Sequence, residues 1–306
     1  MRGYGFVEVG GPEKQAFLDV PVPEPGPEEL LVRVRSAGVN PGDWRVREGG
    51  YGTVGSAVLG REVAGVVERP GPGVTGFARG DEVFGGCPGM IGGWAEYALV
   101  QASFVAHRPP TVSPHDAAVL PVAAGTAYDA LTNLALPRGA TLLVNGAGGG
   151  VGVALVQLAV AEGLRVIGTA SPAKHELIAS FGGIPVAYGD GVSQRIRDAA
   201  PAGVDGVFDL VGGDALRTVA ELPRDRDLLM SVADKELVKQ LGGREIVRDR
   251  SGAVLGTLAG YVADGHLTPH VTDVYPLAKA AEALALVEDG HALGKVVIDV
   301  EGAGTA

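Results

Sequence analysis

Through residues 1–110 the apolar positions fall in short runs separated by clusters of Gly and Pro. Leu30-Leu-Val-Arg-Val-Arg35, Glu62-Val-Ala-Gly-Val-Val67 and Trp94-Ala-Glu-Tyr-Ala-Leu-Val100 are rich in branched or aromatic residues and predict strands. Turn clusters over Pro21–Pro27, Gly49–Gly55 and Pro70–Gly76 separate such runs. Many short strands punctuated this way predict a mainly β, barrel-like antiparallel domain. The pattern changes near Ser113-Pro114. Residues 117–136 are Ala-rich and helical in tendency. Strands over 141–144, 164–169, 184–187, 204–210 and 228–232 then alternate with helices over 151–162, 172–181 and 192–199. That alternation predicts a doubly wound parallel sheet with right-handed crossovers. Farther on, residues 268–276 read as extended, 277–289 as an amphipathic helix and 294–300 as a final strand. The last strand completes either the parallel sheet or the first domain.

The junction between strand 141–144 and helix 151–162 carries the first candidate chemistry. Ala147-Gly148-Gly149-Gly150-Val151-Gly152 is a variant of the dinucleotide-binding glycine pattern, placed between a strand and a helix as that pattern requires. Gly149 occupies the position for close approach to a pyrophosphate, and Gly152 the position for tight helix–strand packing. The helix that follows aims free N–H groups and a partial positive charge at a bound phosphate. No charged residue lies between Gly139 and Ala161, so a membrane span is the rival reading. Five glycines between Gly146 and Gly152 would unravel such a helix.

Composition narrows the function class. The 306 residues suffice for about two domains, and 46% hydrophobic with 20% charged residues is globular. A net charge of −11 with no basic stripe argues against nucleic acid or an anionic membrane as a main partner. The opening Met1-Arg2-Gly3-Tyr4 has no apolar signal segment, which with the single Cys87 suggests a soluble, cytoplasmic protein. One thiol excludes an intramolecular disulfide framework.

The second strand of the alternating region ends in Val166-Ile-Gly-Thr-Ala-Ser-Pro-Ala-Lys-His175. An NAD site usually has Asp or Glu here to bind the ribose 2′-hydroxyl. This chain has Thr169 and Ser171, followed by Lys174. A carboxylate about 4 Å from a phosphate charge would cost on the order of 4 kcal/mol at an effective dielectric near 20. A hydroxyl and a cation in its place predict NADP(H).

Several further segments, taken in order, resemble the medium-chain dehydrogenase/reductase family, and within it the zinc-independent quinone oxidoreductase and enoyl reductase branch. They are Pro23-Glu-Pro-Gly-Pro27, Ala37-Gly-Val-Asn-Pro-Gly-Asp43, Leu59-Gly-Arg-Glu-Val-Ala-Gly-Val-Val67, Gly80-Asp-Glu-Val-Phe84 and Gly93-Trp-Ala-Glu-Tyr97. Ala123-Ala-Gly-Thr-Ala-Tyr128, Val204-Asp-Gly-Val-Phe-Asp-Leu-Val-Gly-Gly213 and Leu293-Gly-Lys-Val-Val297 complete the set. The resemblance implies a discontinuous, mainly β, GroES-like catalytic domain (1–112 and 260–306) around a Rossmann-type NADP-binding domain (113–259). It also implies a homodimer. The zinc ligands of the alcohol-dehydrogenase branch fall on Asn40, Arg61 and, approximately, Val122, and none of these is a competent zinc ligand.

Without a metal, a conjugated acceptor is easier to reduce than a simple ketone, because the resulting enolate or hydroquinone anion needs only hydrogen-bond donors or a proton. The resemblance places Asn40, Asp43 and Tyr51 around the nicotinamide and substrate, with Tyr51 eleven residues past Asn40 as in related reductases. Arg61 then pairs with Asp43 or Glu62, or binds an acidic substrate. Fold and resemblance add Thr126, Tyr188, Val211, Ser231 and Val232 as cofactor contacts. The expected activity is NADPH-dependent reduction of a quinone or α,β-unsaturated carbonyl. An enoyl reductase of a polyketide pathway and a nucleotide-binding protein without turnover are the alternatives.

Overall fold

The computed structural model describes residues 1–290 and 292–304. The chain forms two compact units. The first comprises Met1–Val122, Arg250–Asp264 and the described residues from Pro269 onward; the second comprises Ala123–Asp249 and Gly265–Thr268.

The chain opens with β1 (Arg2–Phe6), β2 (Gln15–Asp19), β3 (Glu29–Val39), α1 (Pro41–Arg47), β4 (Ala57–Val58), β5 (Glu62–Pro70) and β6 (Glu82–Gly86). Next come β7 (Tyr97–Gln101), β8 (Val105–His107) and α2 (Pro114–Ala118). The second unit holds α3 (Gly125–Leu134), β9 (Thr141–Asn145), α4 (Gly150–Ala161), β10 (Arg165–Ala170), α5 (His175–Ser180) and β11 (Ile184–Ala187). It continues with α6 (Val192–Ala199), β12 (Gly206–Asp209), α7 (Gly213–Val219), β13 (Leu229–Ser231) and α8 (Lys235–Gln240). The chain then returns to the first unit with α9 (Gly252–Ala263), β14 (Val271–Pro276), α10 (Ala280–Glu288) and β15 (Lys295–Asp299).

In the first unit β2-β1-β4 form a small antiparallel sheet, and β14-β15-β3-β5-β6-β8 form a larger one with β7 also paired to β3. The final strand therefore belongs here. It pairs antiparallel with β3, Val296 opposite Val39, and parallel with β14. Alternating inward positions of β3 and β5, with Phe6, Trp94, Leu59 and the Ala280/Ala283/Leu284 face of α10, build the core. Arg47 is fully buried in α1 and donates to both oxygens of Glu288 in α10 at 2.9 and 2.8 Å, a forked ion pair that ties the two helices.

The second unit is a parallel sheet in the order β11-β10-β9-β12-β13. Its inner strands are buried on both faces, which is why each is a continuous apolar run rather than an alternating one. The expected helix over 117–136 is divided into α2, a wide turn over Leu120–Ala124, and α3. Pro121 lacks the N–H that a continuous helix needs there. Among the described residues no helix is long and apolar enough to cross a membrane, and the 139–161 run is strand, turn and α4 instead.

Candidate active site

In the first unit, the segment between β3 and α1 turns sharply at Asn40-Pro41, with Pro at the first helical position where no N–H is needed. Asp43 reaches back and accepts the Asn40 backbone N–H at 2.7 Å, which fixes the helix start. The Asn40 amide is engaged at both ends. Its Nδ2 donates to Glu62 Oε1 at 2.7 Å, and its Oδ1 accepts from Lys295 Nζ at 2.7 Å. Lys295 also donates to the Val39 carbonyl at 3.3 Å, and Glu62 Oε2 accepts the Val122 N–H at 2.7 Å. Asn40, Glu62 and Lys295 are all buried.

Arg61 lies beside this cluster. Its Nε donates to Asp43 Oδ1 at 3.4 Å, Nη1 faces Met90 Sδ at 3.8 Å, and Nη2 is buried with no hydrogen-bond partner. The guanidinium carbon stands 5.5 Å from the ring centroid of Tyr51, within cation–π range. Tyr51 is 60% exposed, in a tight turn with φ 60°. Burial pushes the Asp43 carboxyl up to about 6, against the opposing pull of Arg61 and the Asn40 N–H. Burial likewise drives the Cys87 thiol upward, with Asp43 and Glu62 adding to it, so Cys87 is no ready nucleophile.

In the second unit, the residues singled out in the sequence gather at the carboxyl edge of the parallel sheet, where ligands of such sheets bind. The turn after β9 leads into α4. Ala147 and Gly148 are buried, Gly149 is exposed, and Gly150, Val151 and Gly152 form the first turn, whose N–H groups have no carbonyl four residues back in the helix. A Cβ on Gly152 would lie 2.5 Å from the Gly146 carbonyl oxygen and 2.6 Å from Ala147 Cα, so only glycine fits. At Gly149 a Cβ would find nothing closer than 3.8 Å, which leaves the turn open on that side. This geometry fits a dinucleotide pyrophosphate. Lys174 folds over the turn and donates from Nζ to the Gly148 carbonyl at 2.8 Å, and its partial burial lowers its pKa. Ser171, half-buried, precedes it.

Two expected cofactor contacts, Thr169 and Ser231, lie at that edge with their hydroxyls already engaged. Thr169 and Ser231 are buried, and their hydroxyls are taken by the protein. Thr169 Oγ1 accepts the Gly146 N–H at 2.9 Å and donates to Asn145 Oδ1 at 2.7 Å. Ser231 Oγ donates to Asp209 Oδ2 at 2.7 Å and accepts the N–H groups of Ala233 and Asp234. Both therefore shape the edge rather than offer a free hydroxyl to it. Tyr188 and Val211 are exposed after β11 and β12, and Val232 is half-buried after β13. Thr126 is buried near the start of α3.

Residues 26–110 match the family model described as an alcohol dehydrogenase GroES-like domain, and residues 186–298 match the one described as a zinc-binding dehydrogenase. The chain is 33% identical over 316 residues to 2-methylene-furan-3-one reductase of Solanum lycopersicum, covering 97% of this chain and 79% of that protein. The chain belongs to the medium-chain dehydrogenase/reductase family. The chloroplastic NADPH-dependent alkenal/one oxidoreductase of Arabidopsis thaliana is 32% identical over the same shares of the two chains. The solved quinone oxidoreductase of Coxiella burnetii superposes with a TM-score of 0.88 at 27% identity, over 98% of this chain and 99% of that one. Erythronolide synthase EryA2 of Saccharopolyspora erythraea is 33% identical over 88% of this chain and 8% of its own length. These relatives place the chain with the oxidoreductases of the quinone and enone branch of the family.

The donor set in the first unit does not suit the zinc of the alcohol-dehydrogenase branch of this family. A guanidinium fills one ligand position, an amide a second and, approximately, a valine the third, and both Glu62 oxygens accept protein donors. Among the described residues no group of three or more His, Cys, Asp or Glu side chains is arranged to hold a metal ion. Two participants escaped the sequence reading. Lys295 is legible only near the start of an expected strand, and Asp209 only near the end of one. A charged residue at one end of an otherwise apolar run is the signal that each gives.

Proposed function

We propose that the chain is an NADPH-dependent reductase that acts without zinc on a quinone or an α,β-unsaturated carbonyl compound. The observation that carries the reading is the exposed Tyr51 phenol standing over the Arg61 guanidinium, where zinc enzymes of the family have a metal ligand. When bound, the reduced dinucleotide supplies a hydride. Gly148, Gly149 and the opening N–H groups of α4 hold its pyrophosphate, with Ala147 and Gly152 keeping the turn tight. Ser171 and the Lys174 ammonium take the 2′-phosphate, and no carboxylate at the end of β10 opposes it. Thr126, Tyr188, Val211 and Val232 make the remaining contacts. Tyr51 donates a hydrogen bond to the acceptor carbonyl and delivers the proton that completes reduction. Asn40 and Asp43 act through their neighbours as positioning residues. A cytoplasmic homodimer is the corresponding assembly.

The similarity to a polyketide synthase favours one second reading, an enoyl reductase of a secondary-metabolite pathway. Steady-state oxidation of NADPH with a panel of quinones, enones and enoyl thioesters tests both. Turnover confined to thioesters selects the second reading, and tight NADPH binding with no turnover on any acceptor leaves a non-catalytic nucleotide binder. Tyr51→Phe is expected to lower kcat by about 100-fold, the low end for loss of a general acid, with NADPH affinity kept. Unchanged kcat removes Tyr51 from the chemistry.

A further inference from the structure

Arg61 is nine-tenths buried, yet its guanidinium is poorly served. Its one carboxylate contact is a single 3.4 Å approach through Nε, not the short two-pronged pairing that Arg and carboxylate normally make. Nη1 has only a thioether sulfur, and Nη2 has nothing. A buried charged donor without an acceptor is costly, and native structures retain one where another partner uses it.

What covers the guanidinium is also unusual. Tyr51 and Met90, which face it, both have left-handed backbones, φ 60° and 63°. That conformation is costly for non-glycine residues and concentrates at functional sites. Each cover residue lies between glycines that also have positive φ, Gly49 and Gly52 around Tyr51, Gly89 and Gly92 around Met90. The covers are therefore short strained turns with permissive ends, and one nitrogen of the guanidinium beneath them lacks an acceptor.

We propose that Arg61 binds the oxygen on which negative charge collects as the acceptor is reduced, an enolate or hydroquinone oxyanion, with Tyr51 and Met90 as the cover that yields to it. The inference rests on the reductase reading above. In that reaction the hydride from the dinucleotide forms a C–H bond at the β-carbon of the acceptor. The C=C π pair shifts toward the carbonyl, whose C–O π pair moves onto oxygen. A proton, replaced from water, then arrives through the Tyr51 phenol. The dinucleotide is oxidised by two electrons and the acceptor reduced by two. Arg61 stabilises the oxygen during the interval before the proton arrives, and Asp43 positions Arg61 through Nε.

The test uses 4-nitrophenol, which this hydride chemistry does not reduce and whose anion alone is yellow, titrated against pH with the full chain and NADP⁺. Wild type is expected to lower the pH at which the bound phenol ionises by about one pH unit, a tenfold preference for the anion. Arg61→Met should abolish that shift and Arg61→Lys keep part of it. Gly42→Ala is the second variant. Its Cβ would lie 2.1 Å from Arg61 Nη2, so it displaces the flexible end of the side chain while retaining the charge and favouring the helix. It should reduce the shift even if Arg61→Met fails to fold. No shift in wild type, or equal shifts in wild type and Gly42→Ala, overturns the proposal. Quinone and enone reduction by the same wild-type preparation is scored separately. Reduction without a phenolate shift sinks the role of Arg61 and spares the reductase reading, whereas a shift without reduction does the reverse.

Discussion

Each unit buries a chain of polar side chains, and the two chains are finished to different standards. In the second unit Thr169, Asn145, Asp209 and Ser231 run across the carboxyl ends of four parallel strands, linked by three side-chain hydrogen bonds of 2.7 Å. Asp209 also accepts the N–H groups of Val211 and Gly212 at 3.3 and 3.0 Å. In the first unit the Asn40–Glu62–Lys295 part is equally tight, but the contact between Asp43 and Arg61 beside it is long at 3.4 Å, and one guanidinium nitrogen has no partner among the described residues. A satisfied network holds a shape. An unsatisfied charge stores free energy that a ligand can release. The contrast separates residues that brace the carboxyl edge of the parallel sheet from residues that we propose meet a reacting group.

Breaking the finished network should have the largest effect. Asp209→Ala leaves the Asn145 amide, the Ser231 hydroxyl and two N–H groups without their acceptor, and should cost about 3–5 kcal/mol in urea unfolding. A loss below about 1 kcal/mol would mean that water serves those donors and that the contrast is unfounded. Next is the unfinished side. The Asp43 carboxyl is pushed up from 3.8 to about 6, so the folded chain holds that proton more tightly than the unfolded one. Its stabilising contribution is complete below pH 3.8 and is lost as pH rises through about 6, on the order of 2–3 kcal/mol in all. Asp43→Asn should flatten that part of the stability–pH curve, and an unchanged slope would show that Asp43 ionises as comfortably as a surface carboxylate. The smallest effect concerns the rim of the nucleotide site. Lys174→Ala should weaken NADPH about tenfold, some 1.4 kcal/mol, with NADH unchanged. Equal losses for both nucleotides would remove Lys174 from cofactor choice.

The alternating region as far as α6 is legible almost to the residue, whereas α7 and α8 are not expected from the pattern. β9, α4, β10, β11 and α6 lie within a residue or so of their expected bounds, because buried parallel strands are unbroken apolar runs and glycine marks the turns. Other elements were hidden for identifiable reasons. α1 begins at Asn40-Pro41, a pair that reads equally well as a turn, and α9 carries Gly252, Gly256 and Gly260 within one helix. The site was legible in its residue types and less so in their directions. Thr169 stands where a hydroxyl would serve a nucleotide, but whether a strand-end side chain points outward or into its neighbour depends on the register of the next strand. Lys295 needed more still. It is joined to Asn40 across 255 positions of sequence, a partnership that only the β15–β3 pairing creates.

That pairing also sets an order in time. β15 lies between β14 and β3 rather than at a sheet edge, so β14 has no strand to join and β3 has an open edge until residues 295–299 have been synthesised. The second unit, almost wholly contained within residues 123–249, can close earlier on the ribosome. Until then Glu62 and Asn40 wait without Lys295, and the β3 edge that β15 will cover stays open to any other strand that reaches it. The cation that completes the buried cluster thus arrives after Asn40 and Glu62, and the cluster forms only in chains elongated through β15.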